Sequence, residues 1–285
     1  MKILFIGDVV GEPGRRVVAG LLPQLRQELN LDFVVANAEN ACSTGGGLKP
    51  AQVKELLGLG VDVLTTGDHL WDQKDIHGVL DQETRLLRPL NYPPGISGRG
   101  SVIVERQGRQ LAVINLQGRV FMKLPLENPF LAGRAEAGRL RDRTRCILVD
   151  MHAETTSEKL AMGRHLDGHV SAVIGTHTHV QTADEQIFPG GTAFLCDAGM
   201  TGPHDSILGR DKEAVIKRFL TSMPQRLPVV TGDLRLHGAL IEINETTGRA
   251  VAIARISRRL EEEPEIAGAF RKSFGEKGEI GRAHV

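Results

Sequence analysis

Short apolar runs recur along the chain, and each closes on a cluster of polar residues. They are KILFIGD (2–8), DFVVANAEN (32–40), VDVLTTGDH (61–69), LAVINLQG (111–118), CILVDMH (146–152), VSAVIGTHTH (170–179) and TAFLCDAG (192–199). Their length and Val/Ile/Leu content predict strands buried on both faces. Helical patterns fall between several of them. GRRVVAGLLPQLRQEL (14–29) is amphipathic, with Pro23 expected to kink or break it. AQVKELLGLG (51–60) stops at a glycine, and DKEAVIKRFL (211–220) opens on Asp211 as a cap. This alternation predicts an α/β layered fold with largely parallel inner strands.

The pattern changes towards the C-terminus. LHGALIEIN, ETTG and RAVAIARIS (236–257) predict two alternating strands around a turn, which adds antiparallel strands to the sheet system. No break in composition divides residues 1–260, which read as one domain. Residues 261–285 are charged and aperiodic and read as a disordered tail. The last seven, EIGRAHV (279–285), resemble the translation of a common sequencing adapter and are set aside, His284 included.

In open α/β sheets ligands bind beyond the carboxyl ends of the strands. Those positions carry Asp8, then Glu39 and Asn40, then Asp68 and His69, then Asp150 and His152, then His177 and His179. On an extended backbone His177 and His179 would share a face while Thr178 turns away. Each element has an ordinary alternative. Asp8 can cap the following loop, Glu39 and Asn40 can be loop polarity beside STGGG (43–47), and a lone His152 can be a packed histidine. Their joint occurrence at five strand ends points instead to a pair of metal ions. The oxygen and nitrogen donors suit Fe, Mn, Zn or Co, and the lack of thiolate argues against a structural zinc.

Composition narrows the function classes. Lys and Arg (35) balance Asp and Glu (35), so no net charge draws the chain to nucleic acid or an anionic membrane. With nine Phe, one Trp and one Tyr, an extended aromatic platform for single strands is not expected. Three widely spaced cysteines, Cys42, Cys146 and Cys196, form no disulfide framework or zinc ribbon, which favours a reducing cytosol. MKILFIGDVVG is too short and polar for a signal peptide or membrane span, so a soluble, cytoplasmic chain is expected. P-loop, dinucleotide, G-x-S-x-G and H-E-x-x-H patterns are missing.

These residues resemble the calcineurin-like metallophosphoesterases, whose order of motifs recurs as GDVVG, NAEN, TGDHLWD, DMHAE and GTHTHV. Within them the chain resembles the YmdB-type bacterial phosphodiesterases, through about residue 258. The likeness includes FIGDVVGEPGR, ENA, LRPLNYPPG, VINLQGRVFM, NPF, HAETTSEK, GTHTHVQTAD and DAGMTGPHDSILG. It implies a layered α/β/β/α sandwich with mixed sheets and helices outside. It also implies hydrolysis of phosphodiesters, including 2',3'- or 3',5'-cyclic nucleotides and RNA ends, with two divalent or mixed-valence ions, Fe or Mn first. One ion would take Asp8, Glu39, Asn40 and His179. The other would take Glu39, Asp68, His152 and His177, with Glu39 bridging. A hydroxide between them would attack phosphorus in line, and His69 would protonate the leaving oxygen. Val10 stands where the superfamily has a histidine, and Asn40 fills that place.

Asp68 departs from the pattern, which usually has Asn there. Two divalent ions set against Asp8, Glu39, Asp68 and hydroxide sum to zero charge, whereas Asn would leave one positive charge to attract phosphate. Asp68 is therefore expected to tighten metal binding and move the optimum towards alkaline pH. Arg119, Lys159 and Gln181 sit in family-like segments as candidate contacts to phosphate or ribose. A homo-dimer or homo-tetramer also follows from the resemblance. Two other readings stay open: a phosphomonoesterase or protein phosphatase with the same site, and a non-catalytic metal-bound scaffold.

Overall fold

The computed structural model of the protein describes residues 1–261, so all but the first residue of the expected tail lies outside the described residues. In chain order the elements begin with β1 (Lys2–Ile6), β2 (Asp8–Val9), α1 (Gly11–Glu28), β3 (Phe33–Asn37), α2 (Pro50–Gly58), β4 (Val63–Thr65) and α3 (His77–Gln82). There follow β5 (Ser101–Arg106), β6 (Arg109–Gln117), α4 (Pro129–Arg141), β7 (Ile147–His152), α5 (Thr156–His165) and β8 (Ala172–Thr176). The last are β9 (Gln186–Ile187), β10 (Ala193–Leu195), β11 (Met200–Pro203), α6 (Lys212–Thr221), β12 (Leu234–Ile243) and β13 (Ala250–Arg259).

The strands form two mixed sheets. In the first the order is β2-β11-β12-β1-β3-β4, with β13 paired to β12; in the second it is β5-β6-β7-β8-β10-β9. The central pairs β1–β3, β3–β4, β6–β7, β7–β8 and β8–β10 are parallel. Alternate residues of each inner strand feed different cores. Ile3, Phe5, Phe33 and Val35 meet Leu111, Val113, Leu148 and Ile174 between the sheets. Leu4, Ile6, Val34 and Ala36 turn the other way, onto Val17, Val18 and Leu22 of α1 and Leu56 of α2. Ile114, Val149, Met151 and Val173 face Ala137 and Leu140 of α4 and Met162 of α5. The result is the expected α/β/β/α sandwich, and it explains the runs without polar alternation: both faces of these strands are covered.

Local chemistry sets several boundaries. Asp211 accepts a hydrogen bond from the Ala214 N–H at 2.8 Å and caps α6 as its position predicts. Asn128 caps α4, with Pro129 following at the first helical position. Helix α1 runs through Pro23, which lies on its exposed side, where losing one i→i−4 bond costs least. The C-terminal hairpin forms as β12 and β13, in antiparallel register. Among the described residues no helix is long and apolar enough to cross a membrane.

Candidate metal centre

The carboxyl ends of β1, β3, β4, β7 and β8 bring Asp8, Glu39, Asn40, Asp68, His152, His177 and His179 to one place. Every oxygen-bearing member comes from the first sheet and every imidazole from the second. Ligand atoms of Glu39, Asp68, His152 and His177 all lie within 4.8 Å of one another. His152 Nε2 stands 3.3 Å from Glu39 Oε1 and 3.2 Å from Asp68 Oδ1, and His177 Nδ1 stands 3.4 Å from Asp68 Oδ1. Beside them His179 Nε2 lies 3.4 Å from Asn40 Nδ2 and 3.9 Å from Asp8 Oδ1. Asp8 is fully buried, yet its Oδ1 has no hydrogen-bond partner. A buried carboxylate oxygen left unpaired is costly, and a cation would satisfy it.

A polar layer beneath the cluster sets its geometry. Asp150 accepts from Asn37 Nδ2 at 3.1 Å, from Thr176 Oγ1 at 2.7 Å and from the Thr65 hydroxyl. With its one proton committed to Asp150, the Thr176 hydroxyl accepts from His152 Nδ1, 2.9 Å away. That fixes the His152 tautomer and leaves Nε2 facing the carboxylates, as a ligating imidazole requires. His177 has an orienting carboxylate of its own, with Nε2 3.0 Å from Glu154 Oε2. None of Asn37, Thr65, Thr176 and Glu154 is singled out by the sequence. The readable signal was a polar residue inside an apolar strand, at Asn37, Thr65 and Thr176.

Burial and mutual charge shift the titrations. Burial pushes Asp8 up to about 7 against the pull of His152, and it pushes Asp150 up to about 6. Burial lowers His179 to about 4, so it is a neutral nitrogen donor. For His152 burial opposes protonation. The Glu39 charge and hydrogen bonds to Asp68 and Glu39 prevail and hold it well above the ordinary imidazole range. Asp68 is held well below the usual carboxylate range because hydrogen bonds from His152 and His177 outweigh its burial.

The pair of histidines departs from the strand reading. Strand β8 ends at Thr176, and His177 and His179 adopt φ of 98° and 65°, so they converge through a left-handed turn and not through strand alternation. Such backbone costs roughly 1–3 kcal/mol per residue and persists only where its surroundings hold it. Thr178 supplies the hold, its N–H and Oγ1 donating to Asp197 Oδ2 at 3.1 and 2.8 Å.

Lys159 and Gln181 are both engaged with protein groups in this arrangement. Lys159 is fully buried, its Nζ 2.7 Å from the same Asp197 Oδ2, because α5 packs beneath the turn. Gln181 Nε2 donates to the carbonyls of Ala198, Gly238 and Ile256 and ties strand ends together. Arg119 lines a separate cavity of about 600 Å³ with Asn128, Phe130 and Glu158. His69 is half-exposed at the rim, its backbone N–H on Glu39 Oε2 at 3.1 Å and its Nδ1 2.7 Å from Asp72 Oδ2.

Gly67 lets this packing close. A Cβ there would sit 2.1 Å from His152 Cδ2 and 2.5 Å from Glu39 Oε2. Gly67→Ala is expected to weaken metal affinity by about 10- to 100-fold, as loss of a supporting residue does. Metal titration followed by elemental analysis reads this directly, and parent-like affinity would refute the steric argument.

Known proteins resemble this chain in sequence and fold. A family model described as "YmdB-like protein" matches residues 4–256. The 2',3'-cyclic-nucleotide 2'-phosphodiesterase of Bacillus subtilis (strain 168) is 49% identical over 256 residues, 90% of this chain and 96% of that protein. A hypothetical protein of Thermus thermophilus superposes with a TM-score of 0.83 at 42% identity, over 91% of this chain and 99% of that one. A crystal structure described as a novel phosphatase, from Mycoplasma pneumoniae, superposes with a TM-score of 0.84 at 32% identity, over 96% and 98%.

Proposed function

Because the chain belongs to the family of YmdB-like proteins, we propose that it is a dinuclear metal-dependent phosphodiesterase that opens cyclic nucleotides. The observation that carries this is the convergence of four buried acid and amide side chains with three imidazoles around an unpaired Asp8 oxygen. The Bacillus subtilis relative's named activity supplies the substrate class.

Asp8, Glu39, Asn40 and His179 would hold one divalent ion, and Glu39, Asp68, His152 and His177 the other, with Fe or Mn preferred and Zn or Co tolerated. Bound there, such ions would supply Lewis acidity and an activated water. Asn40 presents Nδ2 to Glu39 and His179, so ligation through its oxygen requires the amide turned over. His69 is the general acid. Asp72 engages Nδ1 and leaves Nε2 free to hand a proton to the departing ribose oxygen. Residence in the cytoplasm fits three free, buried cysteines among the described residues. Action on RNA ends and assembly as a homo-dimer or homo-tetramer belong to the same reading and rest on the family likeness.

The test is hydrolysis by Mn- or Fe-loaded protein of 2',3'- and 3',5'-cyclic nucleotides alongside p-nitrophenyl phosphate. Ring opening with the monoester left intact is expected. Monoester hydrolysis alone would favour the phosphatase reading, and a loaded protein inert on all of them would favour a scaffold.

A further inference from the structure

The segment from Gly118 to Asn128 is pinned at both ends beside the cluster. At one end Gly118 N–H donates to the His152 carbonyl at 2.9 Å, and the N–H groups of Arg119 and Val120 donate to the Glu158 carboxylate. At the other, Asn91 Nδ2 donates to the Glu127 carbonyl at 2.9 Å, and Glu127 N–H donates to the Asn91 carbonyl at 3.0 Å. Between the anchors the chain bulges outward, with Phe121 at φ 61° and 86% exposed. From this strap Lys123 extends its ammonium to 3.5 Å from Asp68 Oδ2, with its side chain 68% exposed and that of Asp68 4%.

We propose that Lys123 is a substrate-binding residue of this site, contacting a non-bridging oxygen of the phosphodiester, and that Asp68 positions it. The inference rests on the phosphodiesterase reading above. With Asp68 in place of Asn, the loaded cluster carries no net charge by formal count and offers a phosphodiester anion little long-range attraction. The Lys123 ammonium restores one positive charge at the rim, and its pairing with Asp68 aims it there. Asp68 then serves two partners, with Oδ1 turned to His152 and His177 and Oδ2 to Lys123.

A double-mutant cycle tests this with Lys123→Met, Asp68→Asn and their combination, each loaded with Mn and checked for metal content. Two quantities are read: the affinity for inorganic phosphate by calorimetry, and KM with kcat for bis(p-nitrophenyl) phosphate. Lys123→Met is expected to weaken phosphate binding and raise KM by about three- to tenfold, the size of a part-exposed charge-assisted contact. Against Asp68→Asn the same change should matter less than about twofold, because the side chain has lost its anchor. Lys123→Arg should recover most of the affinity. Unchanged phosphate affinity and KM in Lys123→Met would overturn the proposal, as would equal losses on both backgrounds. A parent that binds no phosphate ends both readings. A parent that binds phosphate but cleaves no diester ends only the activity, and the affinity cycle still decides Lys123.

Discussion

Replacing His69 by alanine is expected to lower kcat by about 10²- to 10⁴-fold on a cyclic nucleotide, the range typical of a lost general acid, while metal content stays at the parent level. The two effects separate because the His69 ring pairs with Asp72 at the rim. Only its backbone N–H touches Glu39, and alanine keeps that hydrogen bond. The loss should depend on the leaving group. A ribose hydroxyl leaves poorly as an alkoxide and needs the proton, whereas p-nitrophenolate departs almost without it. Parallel kcat measurements on a 2',3'-cyclic nucleotide and on bis(p-nitrophenyl) phosphate decide the matter; equal losses on both would remove His69 from the acid role. Asp72→Asn should show a weaker form of the same selectivity, since it disturbs the orientation of the ring while leaving the ring in place.

The second large effect is on stability. Lys159 and Asp197 form an ion pair in which both side chains are at most 1% exposed. Removing one member of such a pair strands the other charge and costs about 3–5 kcal/mol. Lys159→Met should therefore lower Tm by roughly 10 °C in a domain of this size. The damage should spread to the site, because Asp197 Oδ2 also holds Thr178 between the two strained histidines. Coupling the change with Asp197→Asn removes the stranded charge and should recover part of the loss. Calorimetry of the single and double variants checks both statements, and a Tm within about 2 °C of the parent for Lys159→Met would deny the pair its structural role.

Lys159 also shows where the sequence stops being readable. As a letter beside a family-like motif it looked like a surface cation for phosphate, and nothing local marks a lysine as buried. Its partner Asp197 lies 38 positions on, just past β10, and only the packing of α5 on the sheet where β10 runs beside β8 brings them together. Asp72, Glu154 and Lys123 are illegible for the same reason: the sequence shows what they are but not what they face. The cluster itself was legible because parallel strands export one kind of information to one end. An apolar run says where the strand is, and the next polar residue says what stands at its mouth.

Elements buried on both faces were legible in the same way. Helices α4 and α5 were not, since α4 rests on Gly133, Ala137 and Leu140 while Leu131 is 69% exposed, which leaves a thin apolar stripe. Strand β5 is not legible either, although Gln107 and Gly108 at positive φ make the tight turn that joins it to β6. The two histidines come together, but not as their spacing suggests. The i,i+2 spacing suggested strand alternation, whereas a left-handed turn supported from below makes the rings converge.

The division of donors between the sheets has a mechanical consequence. One sheet brings only oxygen and amide groups, the other only imidazoles, so neither half of the sandwich can assemble a ligand set alone. Ions bound at this edge would act as a fastener across the seam, resisting any sliding of one sheet over the other. Because such binding requires both halves in register, occupancy reports on the finished fold, and its free energy is added only there.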